Sequence, residues 1–310
     1  MSTFHPDLWL ARFIPRFSFG PRFVAFTRRR MRRGALPVLE DLTVEDVEIA
    51  AEGGSPAVSM RLYRPTKQTA PTPSLFWMHG GGYIIGGPEQ DEARNIAFAR
   101  ELGITVAAVR YRLAPEHPAP AAVEDAYAGL RWLHAQAARL NVDPARIALG
   151  GASAGGGLAA SLALVAHDRG EVRPAFQLLV YPMLDDRTVT RNDLDTKDLR
   201  IWSTGSNAWA WSVYLGHAPG AERASPYAAA ARREDLRGLP PAWIGVGTLD
   251  LFHDEDLAYA KRLHESGVCC EVHVVSGAFH GFDAVFRKAK VSRAFWKEQS
   301  RALRAALFSS

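Results

Sequence analysis

Cysteine is nearly absent: the 310-residue chain has two, Cys269 and Cys270, adjacent in sequence. Neighbouring residues do not easily reach disulfide geometry, so no cross-link is expected. Both thiols lie in an apolar, strand-like run and are expected in the core; a reducing cytoplasm is the natural compartment for such a chain. Long apolar runs are missing as well. Apolar residues from Leu8 to Phe26 are interrupted every few positions by Arg or Pro. That pattern makes neither a secretory signal nor a membrane span, and no stable membrane insertion is expected. It suits an amphipathic segment whose aromatic side covers another apolar surface, the protein's own or a membrane interface. There is no internal repeat, no low-complexity tract and no long linker. The histidines His117, His253, His264 and His273 have no metal-ligand spacing, and no H-E-x-x-H occurs, so no metal is expected.

Charge of one sign is also scarce outside one segment. The net charge is +4, yet residues 1–40 hold eight arginines against Asp7 and Glu40, leaving the rest of the chain slightly acidic. The run Thr27 to Gly34, TRRRMRRG, is of a kind that can touch nucleic acid or anionic lipid headgroups. It has no interleaved aromatics and no nucleic-acid motif accompanies it, so it reads as a solvated arginine-rich helix face with no nucleic-acid partner. A hydrophobic fraction of 47% and a charged fraction of 23% are those of an ordinary globular chain.

What the sequence does have is alternation. From Leu75 onward short apolar runs (75–78, 104–110, 146–149, 176–181, 243–246, 268–275) alternate with helical patterns (94–102, 121–140, 157–167, 257–265). Strands alternating with helices of this length predict parallel strands joined by crossover helices and covered on both faces. Val44 to Ile49 and Val58 to Tyr63, around the turn Glu52-Gly53-Gly54-Ser55, predict an antiparallel hairpin at a sheet edge. Two stretches break the rhythm: residues 1–45, and 185–224 with Trp202, Trp209 and Trp211. Both read as additions to an α/β core made of 46–184 and 225–310.

Three motifs carry chemistry. Gly151-Ala152-Ser153-Ala154-Gly155 stands between the strand Ile147 to Leu149 and a helix. A tight strand-to-helix turn thrusts a serine hydroxyl outward, and it needs small neighbours because the backbone is crowded there. The alternative for the same residues is a glycine-rich turn with a structural serine. His79-Gly80-Gly81-Gly82-Tyr83 follows the run Leu75 to Met78. Three glycines let backbone N–H groups face inward, and two of them with the amide of Ala154 would cradle an oxyanion. No G-x-G-x-x-G or G-x-x-x-x-G-K-[ST] pattern fits, which removes the phosphate-loop reading. His79 precedes this loop and reads as an orienting residue, with direct catalysis the alternative. Finally, Asp250 ends the run 243–249 and His280 follows the next strand. Catalytic groups gather at strand carboxyl ends, and the order Ser…Asp…His suits a serine hydrolase whose imidazole is fixed by a carboxylate. Asp254 and Glu255 are rival acids, expected on the solvated start of the following helix.

These strings, together with YRLAPEHPAPAAVEDAY (111–127), GGASAGG (150–156), SPY (225–227), LPPAWI (239–244) and HGF (280–282), resemble the bacterial hormone-sensitive lipase family, the HGGG branch of the α/β-hydrolases. The resemblance implies an α/β-hydrolase fold: an eight-stranded, mostly parallel sheet with the second strand reversed, flanked by helices. A helical cap would come from 1–45 plus the insertion 185–224. It implies a serine carboxylesterase acting on short- to medium-chain acyl esters through an acyl-enzyme on Ser153, without a cofactor, with Asp250 and His280 completing the triad. Gly81, Gly82 and Ala154 would form the oxyanion hole, and a homodimer is a common state. One departure stands out: Ala152 occupies the place before the nucleophile where the family usually has an acid. The triad also suits an amidase, deacetylase or acyltransferase. A non-catalytic small-molecule receptor on this fold is a further alternative, against which stands His280, which such receptors resembling the family lack.

Overall fold

The computed structural model describes residues 3–31, 34–51 and 57–308. A 3-10 segment, Pro6–Phe13, comes first, then helix α1 (Pro21–Arg30). The sheet and its crossovers follow as β1 (Leu42–Ile49), β2 (Val58–Pro65), β3 (Thr72–Met78), α2 (Glu92–Leu102), β4 (Thr105–Arg110), α3 (Ala121–Ala135) and α4 (Ala137–Leu140). The chain continues through β5 (Val142–Ala152), α5 (Ala154–Arg169), β6 (Phe176–Val180), α6 (Thr204–Leu215), β7 (Ala242–Leu249), α7 (His253–Glu265), β8 (Cys270–Phe279), α8 (Phe282–Val285) and α9 (Lys290–Phe308).

All eight strands form one sheet in the order β1-β2-β4-β3-β5-β6-β7-β8. Only β2 runs against its neighbours, pairing antiparallel with β1 and with β4; every other pair is parallel. The family expectation of a reversed second strand therefore holds, and so does the edge hairpin, whose turn 52–55 lies outside the described residues, as do Arg32 and Arg33. The central strands are apolar on both faces because both faces are covered. Phe76 and Met78 enter the core shared with α3 and α5, while Leu75 and Trp77 enter the one shared with α2 and α9. No helix among the described residues is long and apolar enough to cross a membrane.

Several sequence expectations need correction. The helical pattern 121–140 breaks at Gln136, whose φ of −90 and ψ of 7 leave the helical range. The third crossover strand starts at Val142, not Arg146, and the helix after Ser153 starts at Ala154, not Gly157. No helix is read from the sequence beyond His280, yet α9 covers one sheet face with Phe295, Gln299, Leu303 and Leu307, spaced at one helical stripe. Cys269 is exposed and Cys270 half-buried rather than both in the core. Cys269 precedes β8 and Cys270 begins it, at the edge of the sheet where no further strand among the described residues covers them. Burial still pushes the Cys270 thiol up to about 12.

Candidate active site

The carboxyl ends of β3, β5, β7 and β8 deliver the four pieces of the site to one rim of the sheet. Ser153 occupies the single-residue turn between β5 and α5 with φ 59 and ψ −123, a conformation costly for a residue with a side chain. The crowding that demands glycine is measurable. A β-carbon on Gly151 would lie 2.2 Å from the carbonyl oxygen of Gly155, and one on Gly155 would lie 2.1 Å from that of Met78. The turn is tied down by the Ser153 amide donating to Val180 at 2.9 Å and by the Ser153 carbonyl accepting from the amides of Gly157 and Met183, each at 3.0 Å.

Ser153 Oγ lies 2.9 Å from Nε2 of His280, and Nδ1 of His280 lies 2.8 Å from Oδ2 of Asp250. The remaining Asp250 oxygen accepts the amide of Phe252 at 3.0 Å. An imidazole held this way carries its proton on Nδ1 and turns the Nε2 lone pair toward the hydroxyl. All three side chains are buried. Asp254 is not among them: it is exposed and pairs with Arg191 at 2.7 Å.

Glu255 corrects the expectation of a solvated carboxylate. It is buried and accepts the amides of Leu184 at 2.7 Å and Asp185 at 3.1 Å, plus the hydroxyl of Thr188. Burial pushes its carboxyl up to about 8. It pins the segment leaving β6 to α7, and burial likewise pushes the neighbouring Asp256 well above the usual carboxylate range.

The glycine loop lies beside the serine. A β-carbon on Gly80 would lie 3.4 Å from that of Ser153. Gly81, at φ 115, and Gly82, at φ 62, are turned so that the Gly81 carbonyl accepts from Ile84 and Ile85. His79 stands behind this loop, away from the triad. Its ring stacks on Tyr111 at 4.2 Å and its Nδ1 donates to the carbonyl of Gly80 at 2.8 Å. Burial pulls its pKa down to about 4, so it works as a neutral prop for the loop.

Three aromatic rings enclose the His280 imidazole, and the sequence motifs named none of them for it. Tyr181 meets it edge to face at 4.8 Å, Phe252 at 5.2 Å, and Trp202 stands 6.4 Å away. The Tyr181 hydroxyl donates to Asp283 Oδ1 at 2.7 Å, while Oδ2 accepts from Trp296 Nε1 at 2.7 Å and from Arg94. Phe252 lies two residues after Asp250, whose carboxylate accepts its amide. Ala152, in place of the usual acid, packs into the apolar cluster that also holds Trp77 and Tyr181.

The N-terminal segment and the 185–224 insertion meet over this rim. Phe19 lies 5.6 Å from Trp202 and its amide donates to Ser206 Oγ at 2.8 Å. Arg200 donates to the carbonyl of Ala11 at 2.9 Å. Arg28 on α1 donates to the carbonyls of Ile84, at 2.7 Å, and Ala114, tying the helix to the loop that follows the glycines.

Residues 75–284 match a family model described as alpha/beta hydrolase fold. Among curated proteins, a carboxylic ester hydrolase of Mycobacterium tuberculosis, LipN, is 36% identical over 272 residues, which is 85% of this chain and 71% of that protein. Among solved structures, a bacterial heroin esterase superposes with a TM-score of 0.90 at 38% identity, over 99% of each chain. The esterase LipW of Mycobacterium marinum does so with a TM-score of 0.84 at 32% identity, over 99% of this chain and 97% of that one.

Proposed function

The chain belongs to the hormone-sensitive-lipase-like esterases of the α/β-hydrolase fold, and on that premise we propose that it is a serine carboxylesterase working through an acyl-enzyme on Ser153. One observation carries the mechanism: the unbroken line from Ser153 Oγ through both nitrogens of His280 to Asp250, at 2.9 and 2.8 Å. Ser153 attacks the ester carbonyl as His280 Nε2 takes its proton. Asp250 stabilises the imidazolium. The amides of Gly81, Gly82 and Ala154 receive the oxyanion, a contribution typically worth about 3–4 kcal/mol per donor. The imidazolium then returns the proton to the departing alcohol. Water, deprotonated by the same nitrogen, attacks the acyl-enzyme and frees the acid.

The substrate is a small-molecule ester. Short- to medium-chain acyl groups are the substrates that the family resemblance implies. Residues 1–45 and 185–224 together make the cap over a core of 46–184 and 225–310, a grouping supported by the contacts Phe19–Trp202 and Arg200–Ala11 that join the two cap pieces. The outer edge of β8, with Val272 and Val274 exposed, is the place for a homodimer contact. A cytoplasmic location accords with two unbridged thiols.

The test is a fluorophosphonate probe combined with nitrophenyl esters from acetate to palmitate. Labelling of the wild type but not of Ser153→Ala, with turnover falling off toward palmitate, is the expected result. A folded wild-type protein that resists the probe refutes the reading.

A further inference from the structure

The outer side of the N-terminal segment is unlike the rest of the surface. Phe13 is 67% exposed, Phe26 54% and Trp9 45%, with Leu10 and Phe23 also exposed. On α1 the one buried apolar residue, Val24, fixes which side faces the protein. At 100° per residue, Arg22, Phe26, Arg29 and Arg30 fall on the opposite side. Here aromatic rings and arginines share the solvent face instead of dividing the helix between them. Among the described residues no carboxylate pairs with Arg12, Arg16, Arg22, Arg29 or Arg30, all of them exposed. Two of the guanidinium groups rest on rings, Arg30 over Phe26 at 4.3 Å and Arg12 over Phe13 at 4.7 Å. In the neighbouring insertion Asp193 pairs with Arg191 and Asp186 with Arg232, while Asp198 accepts from the Thr3 hydroxyl.

We propose that this face, from Trp9 to Met31, docks the protein peripherally on an anionic phospholipid surface. Guanidinium groups reach lipid phosphates while the rings settle at headgroup depth, an arrangement in which charge and apolar area act together. A nucleic-acid groove would meet the arginines but leave Leu10, Phe13 and Phe26 with nothing apolar to cover them. A symmetric contact with a second copy would set five unpaired arginines against the same five. The face also leads to the catalytic rim. Phe17 contacts Phe19 at 5.2 Å, Phe19 contacts Trp202 at 5.6 Å, and Trp202 stands over His280. An ester dissolved among lipids thus enters beside the site without crossing open water. The docking does not depend on the esterase reading, since its test scores binding.

The experiment is flotation of the full chain with vesicles of phosphatidylcholine alone and with phosphatidylglycerol added at roughly seven to three. Binding to the mixed vesicles at about 0.1 M salt, largely lost at about 1 M, is expected, with little binding to the neutral ones. Arg22→Glu/Arg29→Glu/Arg30→Glu lowers the partition coefficient about 100-fold, and Phe13→Ser/Phe26→Ser lowers it at least about tenfold. Both variants keep wild-type turnover of nitrophenyl butyrate in vesicle-free buffer. Failure to float with the mixed vesicles, equal flotation with both kinds, or retention by the arginine variant overturns the proposal. So does a solution mass that halves in the arginine variant, which assigns the face to a second copy, or displacement of the vesicles by duplex DNA, which assigns it to nucleic acid.

Discussion

The tip of the Trp202 indole fills the space a β-carbon on Gly82 would need, the two lying 2.3 Å apart if one were built. The cap side chain and the glycine loop are therefore matched: the ring seats on backbone because no side chain stands between them. Gly82→Ala should push ring and loop apart and disturb the amides offered to an oxyanion, lowering kcat by on the order of 10²–10³. Adding Trp202→Ala should restore part of that loss. An equal loss in single and double variants, measured with the same nitrophenyl ester, would show that the indole is not what the methyl meets.

Removing either end of the proton line should be far more damaging. Ser153→Ala and His280→Ala should each lower kcat by on the order of 10⁶ while thermal unfolding stays cooperative. Only residual hydrolysis from the remaining amides and binding contacts should survive.

The acid is tested by amides in place of carboxylates. Asp250→Asn lets the imidazole carry its proton on the wrong nitrogen and should cost on the order of 10⁴ in kcat. Asp254→Asn, which loses a surface pair with Arg191, should remain near wild type. The reverse pattern would move the acid to Asp254.

Stability should depend on pH through Glu255. Its folded-state pKa is raised to about 8 by burial, so between its ordinary value and 8 the folded chain holds a proton that the unfolded chain has released. Stability then falls as pH rises through that window, by at most about 1.4 kcal/mol per pH unit from this group. Glu255→Gln keeps an acceptor for the amides of Leu184 and Asp185 and should flatten the fall of Tm between pH 5 and 8. An unchanged slope would remove Glu255 as its source.

Deleting residues 1–40 strips Phe19 from Trp202 and Arg28 from the carbonyls of Ile84 and Ala114. Lower turnover and earlier aggregation are expected, read by initial rates and light scattering. Kinetics and solubility equal to the full chain would show that the segment does not shape the site.

Ser153, the glycine loop, Asp250 and His280 were legible because their chemistry demands local backbone. Small residues around a crowded turn, consecutive glycines after a strand, and polar residues at strand ends leave marks within a few positions. Tyr181 and Asp283 left none, since what matters is a bond between two residues 102 positions apart. Glu255 was misread for a related reason. The pattern of α7 puts residues 255, 256, 259, 260 and 263 on the buried side, but the amides that make a carboxyl tolerable there come from 184 and 185. Cys269 went wrong because apolar neighbours signal a strand and not whether a further strand lies beyond it. The strand count and the reversed second strand came from the resemblance, and the strand order only from the structure, as strand pairing is not written in any single strand.

Asp283 gathers donors from Arg94 on α2, from Tyr181 after β6 and from Trp296 on α9, three residues beyond the histidine whose ring Tyr181 backs. The order of synthesis gives this clasp a temporal side. Ser153 is added as the chain reaches half its length, whereas the clasp waits for α9, the last helix to be made. A message cut short before that helix would leave Asp283 without its Trp296 donor, so the brace behind His280 is the last part of the site that synthesis supplies.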